Sequence, residues 1–328
     1  MNSRGGVASE ADGSSVLTVT VNPAIDVSVE VTRLLPDQKL RTDVWAREAG
    51  GGGVNVARVL QRLGVDVEAF VVVGGATGDE LVTLVQADDV RVRRFDIVGP
   101  TRESIAISET STGCQYRIGA PGPRLEDCDR LLEAIIDAAE GVRLVVVSGS
   151  LCPGLPDDFV ARLVDGVGSG SLTVVDTSGP CLRAAVESPA TIVKPSQREL
   201  AALVGWQPTS PADIERAALE VLDFGQVGAV LASRGPAGAL LVRRGERPLW
   251  FHPPPVHPVS TVGAGDSMVA GITASLVRGE SLEDSVRFGV AAGTAAVLTP
   301  GSALCDVDVV DGLVQRVLMW TSDMSGSE

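Results

Sequence analysis

The fold class is decided in the middle of the chain, by the segments RLVVVSG (143–149), PDDFVARLVDGV (156–167) and LTVVD (172–176). The first and last are short runs of aliphatic and β-branched residues, which are typical of buried strands. The segment between them has the apolar spacing of a helix. A strand, a helix and a second strand in this order predict two parallel strands joined by a crossover helix.

The same alternation extends towards both ends of the chain. Further strands are predicted at 16–22, 67–75, 191–195, 227–233 and 238–242. Further helices are predicted at 53–64, 79–86, 125–139, 197–205, 211–225, 264–278, 282–298 and 306–319. This pattern predicts an α/β fold in which helices cover both faces of a mostly parallel sheet. In such a fold the ligand crevice lies at the carboxyl ends of the strands.

Residues 27–49 and 91–118 differ from this pattern. They contain short strand-like pieces with polar residues at alternate positions, VSVEV (27–31), RVRRFDIV (91–98), ESIAISET (103–110) and CQYRIG (114–119). We expect a small separate sheet with one side facing solvent or a partner. We also expect one domain over 15–320, between a disordered N-terminal tail (1–14) and a flexible C-terminal tail (321–328).

Composition excludes several classes of function. The formal net charge of −15 disfavours binding to nucleic acid or to acidic membranes. The only histidines are His252 and His257, in a proline-rich stretch, so a histidine-based triad or metal site is poorly supported. The five cysteines are scattered and form no C-x-x-C pair, which favours a reducing compartment. With no apolar run long enough to span a bilayer, we expect a cytoplasmic protein.

The segment STVGAGDSMVAG (260–271) places one carboxylate, Asp266, directly after Gly-Ala-Gly at the start of an apolar helix. One interpretation is a helix cap, because an Asp at a helix start accepts backbone N–H bonds and suits the positive end of the dipole. The other is a catalytic site, in which the free N–H groups bind an anion and Asp266 is a base beside it.

Three other segments are weak signals when taken singly. AGGGGVNVAR (49–58) offers free amides to a ligand or forms a hinge; Val56 breaks the dinucleotide fingerprint, and no Gly-Lys-Ser/Thr of a Walker A loop occurs. TIVKPSQREL (191–200) contains either a simple capping box, Ser196 with Glu199, or an acid near a magnesium–phosphate cluster beside Lys194. LASRGPAGAL (231–240) by itself is a tight turn between strands.

The order of these segments resembles the PfkB, or ribokinase-like, family of sugar kinases. Further matches are KLR at 39–41, GGATG at 74–78, Thr101-Arg102, Gln115-Tyr-Arg117, SGSL at 148–151, PPPV at 253–256 and RFGVAAG at 287–293. The resemblance covers about residues 16 to 318. It implies a three-layer α/β/α fold with a mostly parallel central sheet and a small β-sheet lid, which often pairs with the lid of a second subunit to form a homodimer.

The resemblance also implies roles for particular residues. Asp266 matches the catalytic base, and its anion hole matches Gly263, Ala264 and Gly265. Positions that contact sugar hydroxyls match Asp26, Gly50, Gly51 and Asn55, with Ser150 nearby. Cations that hold the phosphate already on the sugar match Lys39, Arg102 and Arg117; either arginine alone would more often be a solvated surface residue.

On the nucleotide side, the matching positions are Lys194, Ser196, Ser233, Gly235, Gly238, Val290 and Thr294. Glu199 matches the magnesium-linked acid. A loop for a monovalent cation such as K⁺ matches Ser260, Val262, Ala296, Thr299 and Gly301. The family usually has Asn where this chain has Ser196, and Asn and Arg where it has Thr299 and Ala303, so we expect a looser magnesium shell and altered activation by monovalent cations.

Within the family, the motifs are most similar to those of members that phosphorylate fructose 6-phosphate. The implied function is transfer of a phosphoryl group from ATP, with Mg²⁺, to the 1-hydroxyl of that sugar. A kinase of fructose 1-phosphate or tagatose 6-phosphate is the alternative, because the same cations suit either substrate. A non-catalytic sugar-phosphate sensor on the same fold is more remote, since Asp266 and its glycines are intact.

Overall fold

The computed structural model describes residues 15–42, 45–299 and 304–321. The strands are β1 (Val16–Thr20), β2 (Ala24–Val31), β3 (Trp45–Gly50), β4 (Val67–Val73), β5 (Arg91–Asp96), β6 (Arg102–Glu109), β7 (Cys114–Gly119), β8 (Leu144–Ser148), β9 (Leu172–Asp176), β10 (Ile192–Val193), β11 (Ala229–Ser233), β12 (Ala239–Arg243), β13 (Leu249–His252) and β14 (Leu318–Thr321). The helices are α1 (Gly52–Arg62), α2 (Gly75–Ala87), α3 (Cys128–Ala138), α4 (Phe159–Val167), α5 (Gly179–Val186), α6 (Gln197–Val204), α7 (Pro211–Phe224), α8 (Ala264–Val277), α9 (Leu282–Ala296) and α10 (Val307–Val314).

A ten-stranded sheet runs through the described part of the chain in the order β14-β13-β12-β11-β10-β9-β8-β1-β4-β5. Its strands are parallel from β5 to β11, and only the last three pairs, from β11 to β14, are antiparallel. Helices α1, α2, α8, α9 and α10 pack on one face, and α3 to α7 pack on the other. The predicted three-layer fold with a mostly parallel sheet is confirmed.

Strand β1 shows how the sequence produces two cores. Leu17 and Val19 point into the core with α3 to α7, while Val16 points into the other. All five residues of β1 are buried, as expected for a central strand covered on both faces. Thr20 lies on the α1 face, where a Cβ added to Gly53 would come within 2.4 Å of its hydroxyl oxygen. The end of β1 and the start of α1 are therefore in close contact.

The predicted small sheet exists, but one of its pieces was assigned wrongly. Its order is β3-β2-β6-β7, with β2 and β6 parallel and the outer pairs antiparallel. Residues 91–96 form β5 instead, which pairs with β4 at the edge of the large sheet. The arginines of this edge strand face water and bind acidic neighbours, for example Arg93 with Glu68. The resulting polar alternation resembles that of a lid strand.

The C-terminal end of the predicted helix at 306–319 is also wrong. Helix α10 ends at Val314, and Leu318–Thr321 forms β14 against β13. Trp320 stacks on Trp250 of β13, with ring centroids 6.2 Å apart, and this contact favours the strand. The expected N-terminal tail and residues 322–328 of the expected C-terminal tail lie outside the described residues.

Several polar residues stand where the parallel strands end. Asp176 is the last residue of β9, Lys194 directly follows β10, and Ser233 ends β11. Asn22 follows β1 two residues after its end. Because parallel strands end at a common edge, these side chains belong to the same crevice. Within the described residues, no helix has both the length and the apolar character needed to cross a bilayer.

Candidate active site

The first turn of α8 presents backbone amides that no side chain caps. Its N-cap residue, Gly263, has φ of 73°, a left-handed conformation that favours glycine. A Cβ at Gly263 would also lie 2.7 Å from Leu304 Cδ2. The first intrahelical bond runs from the Ser267 amide to the Gly263 carbonyl, so the amides of 264–266 have no partner within the helix. They are therefore available to an anion at the positive end of the helix dipole.

Asp266 lies within this turn, and its side chain is partly exposed. The Asn55 side-chain amide donates to Asp266 Oδ2 over 2.8 Å. Burial raises the pKa of Asp266 to about 6; the Asn55 hydrogen bond and Lys194 oppose the rise, while the charges of Asp176 and Asp26 add to it. At neutral pH about nine-tenths of this carboxylate is ionised, and it can accept a proton.

The glycine run at 50–53 is packed too closely for side chains. Gly51, the N-cap of α1, has φ of 112°. A Cβ at Gly52 would meet Ser148 Oγ at 2.3 Å, next to the end of β8. Glycines here let α1 start directly against the ends of β1 and β8. Asn55, in the first turn of that helix, is thereby brought to Asp266.

Three of the sugar-side residues predicted from sequence, Gly50, Arg102 and Arg117, lie near Asp26 on β2. A Cβ at Gly50 would lie 2.3 Å from Asp26 Oδ2, so the glycine backbone touches the carboxylate. Burial raises the pKa of Asp26, and a hydrogen bond from Ser104 and the charges of Arg102 and Arg117 partly offset the rise. Two of the three predicted phosphate-binding cations are therefore close to Asp26.

Arg102 and Arg117 differ in how firmly they are held. Arg102 donates from Nε to the Asn22 carbonyl over 3.3 Å and from Nη1 to the Ala120 carbonyl over 3.5 Å, and burial lowers its pKa. Arg117 is exposed on β7. Lys39 is exposed in the loop after β2, and within the described ranges it has no ion-pair or hydrogen-bond partner. The structure therefore places Arg102 and Arg117 near Asp26, and it shows no contact between Lys39 and these residues in the described ranges.

Lys194 lies between the nucleotide-side residues and Asp266. Its Nζ pairs with Asp176 Oδ1 at 3.0 Å, and its side chain is only 7% exposed. Burial alone would lower the pKa of Lys194, but the carboxylates of Asp176, Asp266 and Glu199 raise it above the ordinary value. A protonated ammonium therefore stands inside the crevice at neutral pH.

The capping box predicted at the start of α6 is present. The Glu199 amide donates to Ser196 Oγ over 3.3 Å, and the Ser196 amide donates to Glu199 Oε2 over 2.7 Å. Ser196 also forms a bridge with Ser233, which brings the turn after β11 beside this helix start. The structural role of Ser196 and Glu199 is thus established by geometry, and Glu199 keeps Oε1 for another partner.

The remaining predicted positions lie around these elements. In the turn after β11, Gly235 and Gly238 have positive φ, and a Cβ at Gly238 would come within 1.9 Å of the Phe251 carbonyl. On α9, the Thr294 hydroxyl donates to the Val290 carbonyl over 2.6 Å, and both residues are buried. Ser150 is exposed and accepts a hydrogen bond from Asn22 Nδ2 over 3.4 Å.

The predicted monovalent-cation loop is only partly described. The Ser260 hydroxyl accepts from the Val262 amide over 3.2 Å. The Thr299 hydroxyl oxygen lies 2.8 and 2.7 Å from the carbonyl oxygens of Ala296 and Leu304, and its one proton can be donated to either. Gly301 and Ala303 lie outside the described residues. Binding of a monovalent cation by this loop stays a prediction.

Sequence reasoning missed three residues of the site, Asp176, Asn22 and Ser104. Asp176 ends the apolar run LTVVD, and an acid at the carboxyl end of a predicted parallel strand was the available signal. Asn22 is buried and donates to the carbonyls of Pro121 and Leu151 over 3.1 Å each, which fastens two loops at the sugar side. For Ser104 only strand pairing opposite Asp26 brings the two residues together, and no local pattern indicates it.

Comparison with known proteins shows a consistent set of similarities. Residues 17–308 match the model of the pfkB family of carbohydrate kinases. The chain is 40% identical over 296 residues to the ATP-dependent 6-phosphofructokinase isozyme 2 of Escherichia coli (strain K12), covering 89% of this chain and 96% of that protein. It is likewise 40% identical over 299 residues to the enzyme of the same name from Mycobacterium tuberculosis, covering 90% of this chain and 88% of that one.

Solved structures of the Escherichia coli phosphofructokinase-2 have the same fold. Its complex with potassium gives a TM-score of 0.86 at 37% identity, covering 92% of this chain and 99% of that chain. Its complex with fructose-6-phosphate gives a TM-score of 0.84 at 36% identity with the same coverage.

Proposed function

Since this chain belongs to the pfkB family of carbohydrate kinases, we propose that it transfers the γ-phosphoryl group of ATP to the 1-hydroxyl of fructose 6-phosphate, giving fructose 1,6-bisphosphate. The observation that carries the proposal is the placement of Asp266 in the uncapped first turn of α8. There it is hydrogen-bonded to Asn55 and close enough to Asp26 and Lys194 for their charges to act on its pKa. A phosphorylated hexose on the Asp26 side and a nucleotide on the Lys194 side would meet there.

Asp266 acts as the general base. Its Oδ2 accepts a hydrogen bond from the Asn55 side-chain amide. Its Oδ1 is therefore free to accept the proton of the sugar 1-hydroxyl. As the sugar oxygen bonds to the γ-phosphorus, the bond between that phosphorus and the bridging oxygen breaks, and ADP leaves with the electron pair. The proton stays on Asp266 until product release. A pKa of about 6 suits this task, because the base is ionised at neutral pH.

The amides that follow Gly263 stabilise the group in transfer. Phosphoryl transfer depends chiefly on in-line positioning and on stabilisation of charge on the equatorial oxygens. The amides of Ala264, Gly265 and Asp266 are fixed in direction by the helix and require no reorganisation as charge develops. We assign Gly263, Ala264 and Gly265 to this anion hole, with Gly263 as the left-handed residue that orients the amides after it.

The sugar phosphate is held by hydroxyl contacts and by cations. Asp26, Gly50, Gly51 and Asn55 contact the sugar hydroxyls, with Ser150 at the edge of that site. Arg102 and Arg117 bind the 6-phosphate with charge-assisted hydrogen bonds, and Lys39 joins them from its exposed loop. The lowered pKa of Arg102 reflects its burial, and a phosphate dianion would supply the counter-charge that this guanidinium needs.

The nucleotide lies along the crevice from Lys194 to α9. Lys194 faces its phosphates, while Ser196, Ser233, Gly235 and Gly238 supply backbone and hydroxyl groups from two adjoining turns. Val290 and Thr294 pack against the adenine base of the nucleotide. The close approach of Gly238 to the Phe251 carbonyl shows how tightly its turn is closed.

Magnesium fits this site only together with the nucleotide. No group of three or more candidate ligands for a metal occurs among the described residues. Magnesium normally takes one or two carboxylates plus substrate phosphates and waters, and the free Oε1 of Glu199 suits that arrangement. When bound with ATP, the ion neutralises charge on the phosphates. For the loop that includes Ser260 and Thr299 we propose K⁺, since the Escherichia coli relative was solved with potassium.

We also propose a homodimer through the four-stranded lid sheet. Its registers place Trp45, Val29, Ile107 and Tyr116 in one row across all four strands. Trp45 is 60% exposed, and Ile118, on the same face of β7, is 59% exposed. A second copy of this sheet would cover that apolar face. Light scattering should report a dimer, and a monomer at working concentration would contradict the assignment.

We propose that the protein works in the cytoplasm. All five cysteines are free, and three of them, Cys152, Cys181 and Cys305, are buried. Free cysteines are typical of a reducing compartment, where the proposed substrates are also found. Fractionation of a cell that makes the protein should recover it with the cytoplasmic enzymes rather than outside the membrane.

One assay tests the function. Purified protein is given ATP, magnesium and a panel of free and phosphorylated hexoses, and ADP release is followed. Fructose 6-phosphate should give the highest kcat/KM, and the Asp266→Asn variant should be inactive on the whole panel. A preference for free sugars would refute the roles of Arg102 and Arg117, and no turnover on any sugar would refute the kinase itself.

A further inference from the structure

Asp176 and Lys194 form a rigid ion pair that the proposed mechanism does not yet use. Strands β9 and β10 pair Val174 with Ile192 and Val175 with Val193, so the next position sets Asp176 opposite Lys194. The Lys194 amide donates to the Val175 carbonyl over 3.0 Å, and the Gly149 amide donates to the Asp176 carbonyl over 2.9 Å. The backbones on both sides of the pair are therefore fixed.

The pair lies in the wall of the crevice. The side chains of Asp176 and Lys194 are 16% and 7% exposed. A Cβ placed on Gly265 would lie 3.8 Å from Lys194 Nζ, so the ammonium is next to the first turn of α8. The charge of Lys194 is also felt by Asp266, whose pKa it lowers. Three carboxylates thus attract the same ammonium: Asp176 by direct contact, then Asp266 and Glu199 through their charges.

The choice between those carboxylates matters for catalysis. A lysine side chain has four rotatable bonds, and only a fixed partner holds its ammonium in one place. Pairing with Asp266 would occupy the base and move the positive charge away from the nucleotide phosphates. Pairing with Asp176 leaves Asp266 free and keeps the ammonium beside the anion hole.

We propose that Asp176 is a positioning residue, which holds the Lys194 ammonium beside the first turn of α8 and away from Asp266. The proposal rests on the phosphoryl transfer proposed above. Asp176 itself touches neither substrate nor the group in transfer, and it acts through Lys194. At a pH where Asp266 is fully ionised, a carboxylate at this position should therefore have no effect on the rate once the lysine is gone.

A double-mutant cycle tests this dependence. The variants are Asp176→Asn, Lys194→Met and the two combined, and kcat is measured at pH 8, where Asp266 is ionised. We expect each single change to lower kcat by roughly 10- to 100-fold, and the double variant to be no slower than Lys194→Met. The double variant removes both charges and leaves neither unpaired, so it remains informative if Asp176→Asn folds poorly. Losses that multiply would overturn the proposal.

The acid limb of the pH–rate profile gives a second readout, which distinguishes an electrostatic effect on Asp266 from a simple loss of folded protein. The charged or polar groups that face Asp266 are Asn55, Asp26, Asp176 and Lys194. Removing the charge of Asp176 removes an influence that raises the pKa of Asp266 and leaves Lys194 to lower it. The acid limb of kcat in Asp176→Asn should therefore move to lower pH, and Asp176→Glu should restore part of the rate.

Two controls separate the possible outcomes. Asp88→Asn breaks another partly buried ion pair, with Arg58 on α1, and should leave the acid limb in place. An increased magnesium requirement in Asp176→Asn, with an unmoved acid limb, would make Asp176 a metal ligand and overturn the positioning role. Wild-type turnover by Asp266→Asn would instead refute the proposed function, and this result does not depend on Asp176.

Discussion

Replacing Asn55 by alanine should move the acid limb of the pH profile of kcat to higher pH. The Asn55 amide donates to Asp266 Oδ2 over 2.8 Å and lowers the pKa of that carboxylate against the effect of burial. A hydrogen bond to a charged group contributes roughly 1.5–3 kcal/mol, and one pKa unit corresponds to about 1.36 kcal/mol. Because Asp266 is partly exposed, we take the lower end of this range, a rise of about one unit.

The size of the effect on rate follows from this shift. With a pKa of about 6, half of Asp266 is ionised at pH 6 in the wild type. With a pKa near 7, only about a tenth would be ionised, so Asn55→Ala should lose about fivefold in kcat at pH 6 from ionisation alone. The loss from this cause should disappear near pH 9, where both forms are fully ionised.

The assay is kcat at saturating ATP and fructose 6-phosphate across pH 5 to 9, which separates this effect from weaker sugar binding. Asp88→Asn is a matched control, since it perturbs Arg58 on the same helix α1 without touching Asp266. An acid limb that stays in place or moves to lower pH in Asn55→Ala would refute the argument that this hydrogen bond stabilises the ionised base.

Three further predictions concern stability and binding. In the folded protein the pKa of Asp266 is about 6, above the ordinary 3.8, so its contribution to stability is present below pH 3.8 and is lost as pH rises through 6. Asp266→Asn should therefore raise the free energy of unfolding by about 1–3 kcal/mol at pH 7.5 and by much less at pH 4. Denaturant titration at the two pH values measures this difference. Gly263→Ala should lower the free energy of unfolding by about 1–3 kcal/mol, because the substitution forces a φ of 73° on alanine and places its Cβ 2.7 Å from Leu304. An unchanged midpoint of denaturant unfolding would show that the turn relaxes. Arg102→Gln should raise KM for fructose 6-phosphate roughly 10- to 100-fold and leave KM for ATP nearly constant, and equal changes in both would contradict its place on the sugar side.

Local patterns predicted the parts of the fold that depend on short-range periodicity. The alternation of apolar strands and amphipathic helices was enough for the mostly parallel sheet, because strands covered on both faces have a distinctive apolar run. The membership of β5 could not be predicted this way. An edge strand of a large sheet and a strand of an exposed small sheet have the same polar alternation, and only long-range pairing distinguishes them.

The candidate site shows the same division. Gly263 and Asp266 were found because Gly-Ala-Gly-Asp at a helix start offers free amides beside a carboxylate. Gly51 was found because it lies in a glycine run before a helix, and the resemblance to sugar kinases supplied the roles of all three. Asp176 was missed although it ends a predicted parallel strand, and its pairing with Lys194 could be recognised only from the pairing of β9 with β10. Similarly, β14 pairs with β13, where Trp320 stacks on Trp250, and the helical pattern that precedes β14 does not indicate this long-range contact.

The most direct test of the central claim is a single-turnover measurement with Asp266→Asn. Enzyme in excess over ATP is mixed with fructose 6-phosphate, and formation of fructose 1,6-bisphosphate is followed beside direct titrations of both ligands. We expect both substrates to bind with affinities close to those of the wild type, while the chemical step slows by at least about 100-fold. A chemical step as fast as in the wild type would contradict the assignment of Asp266 as the base.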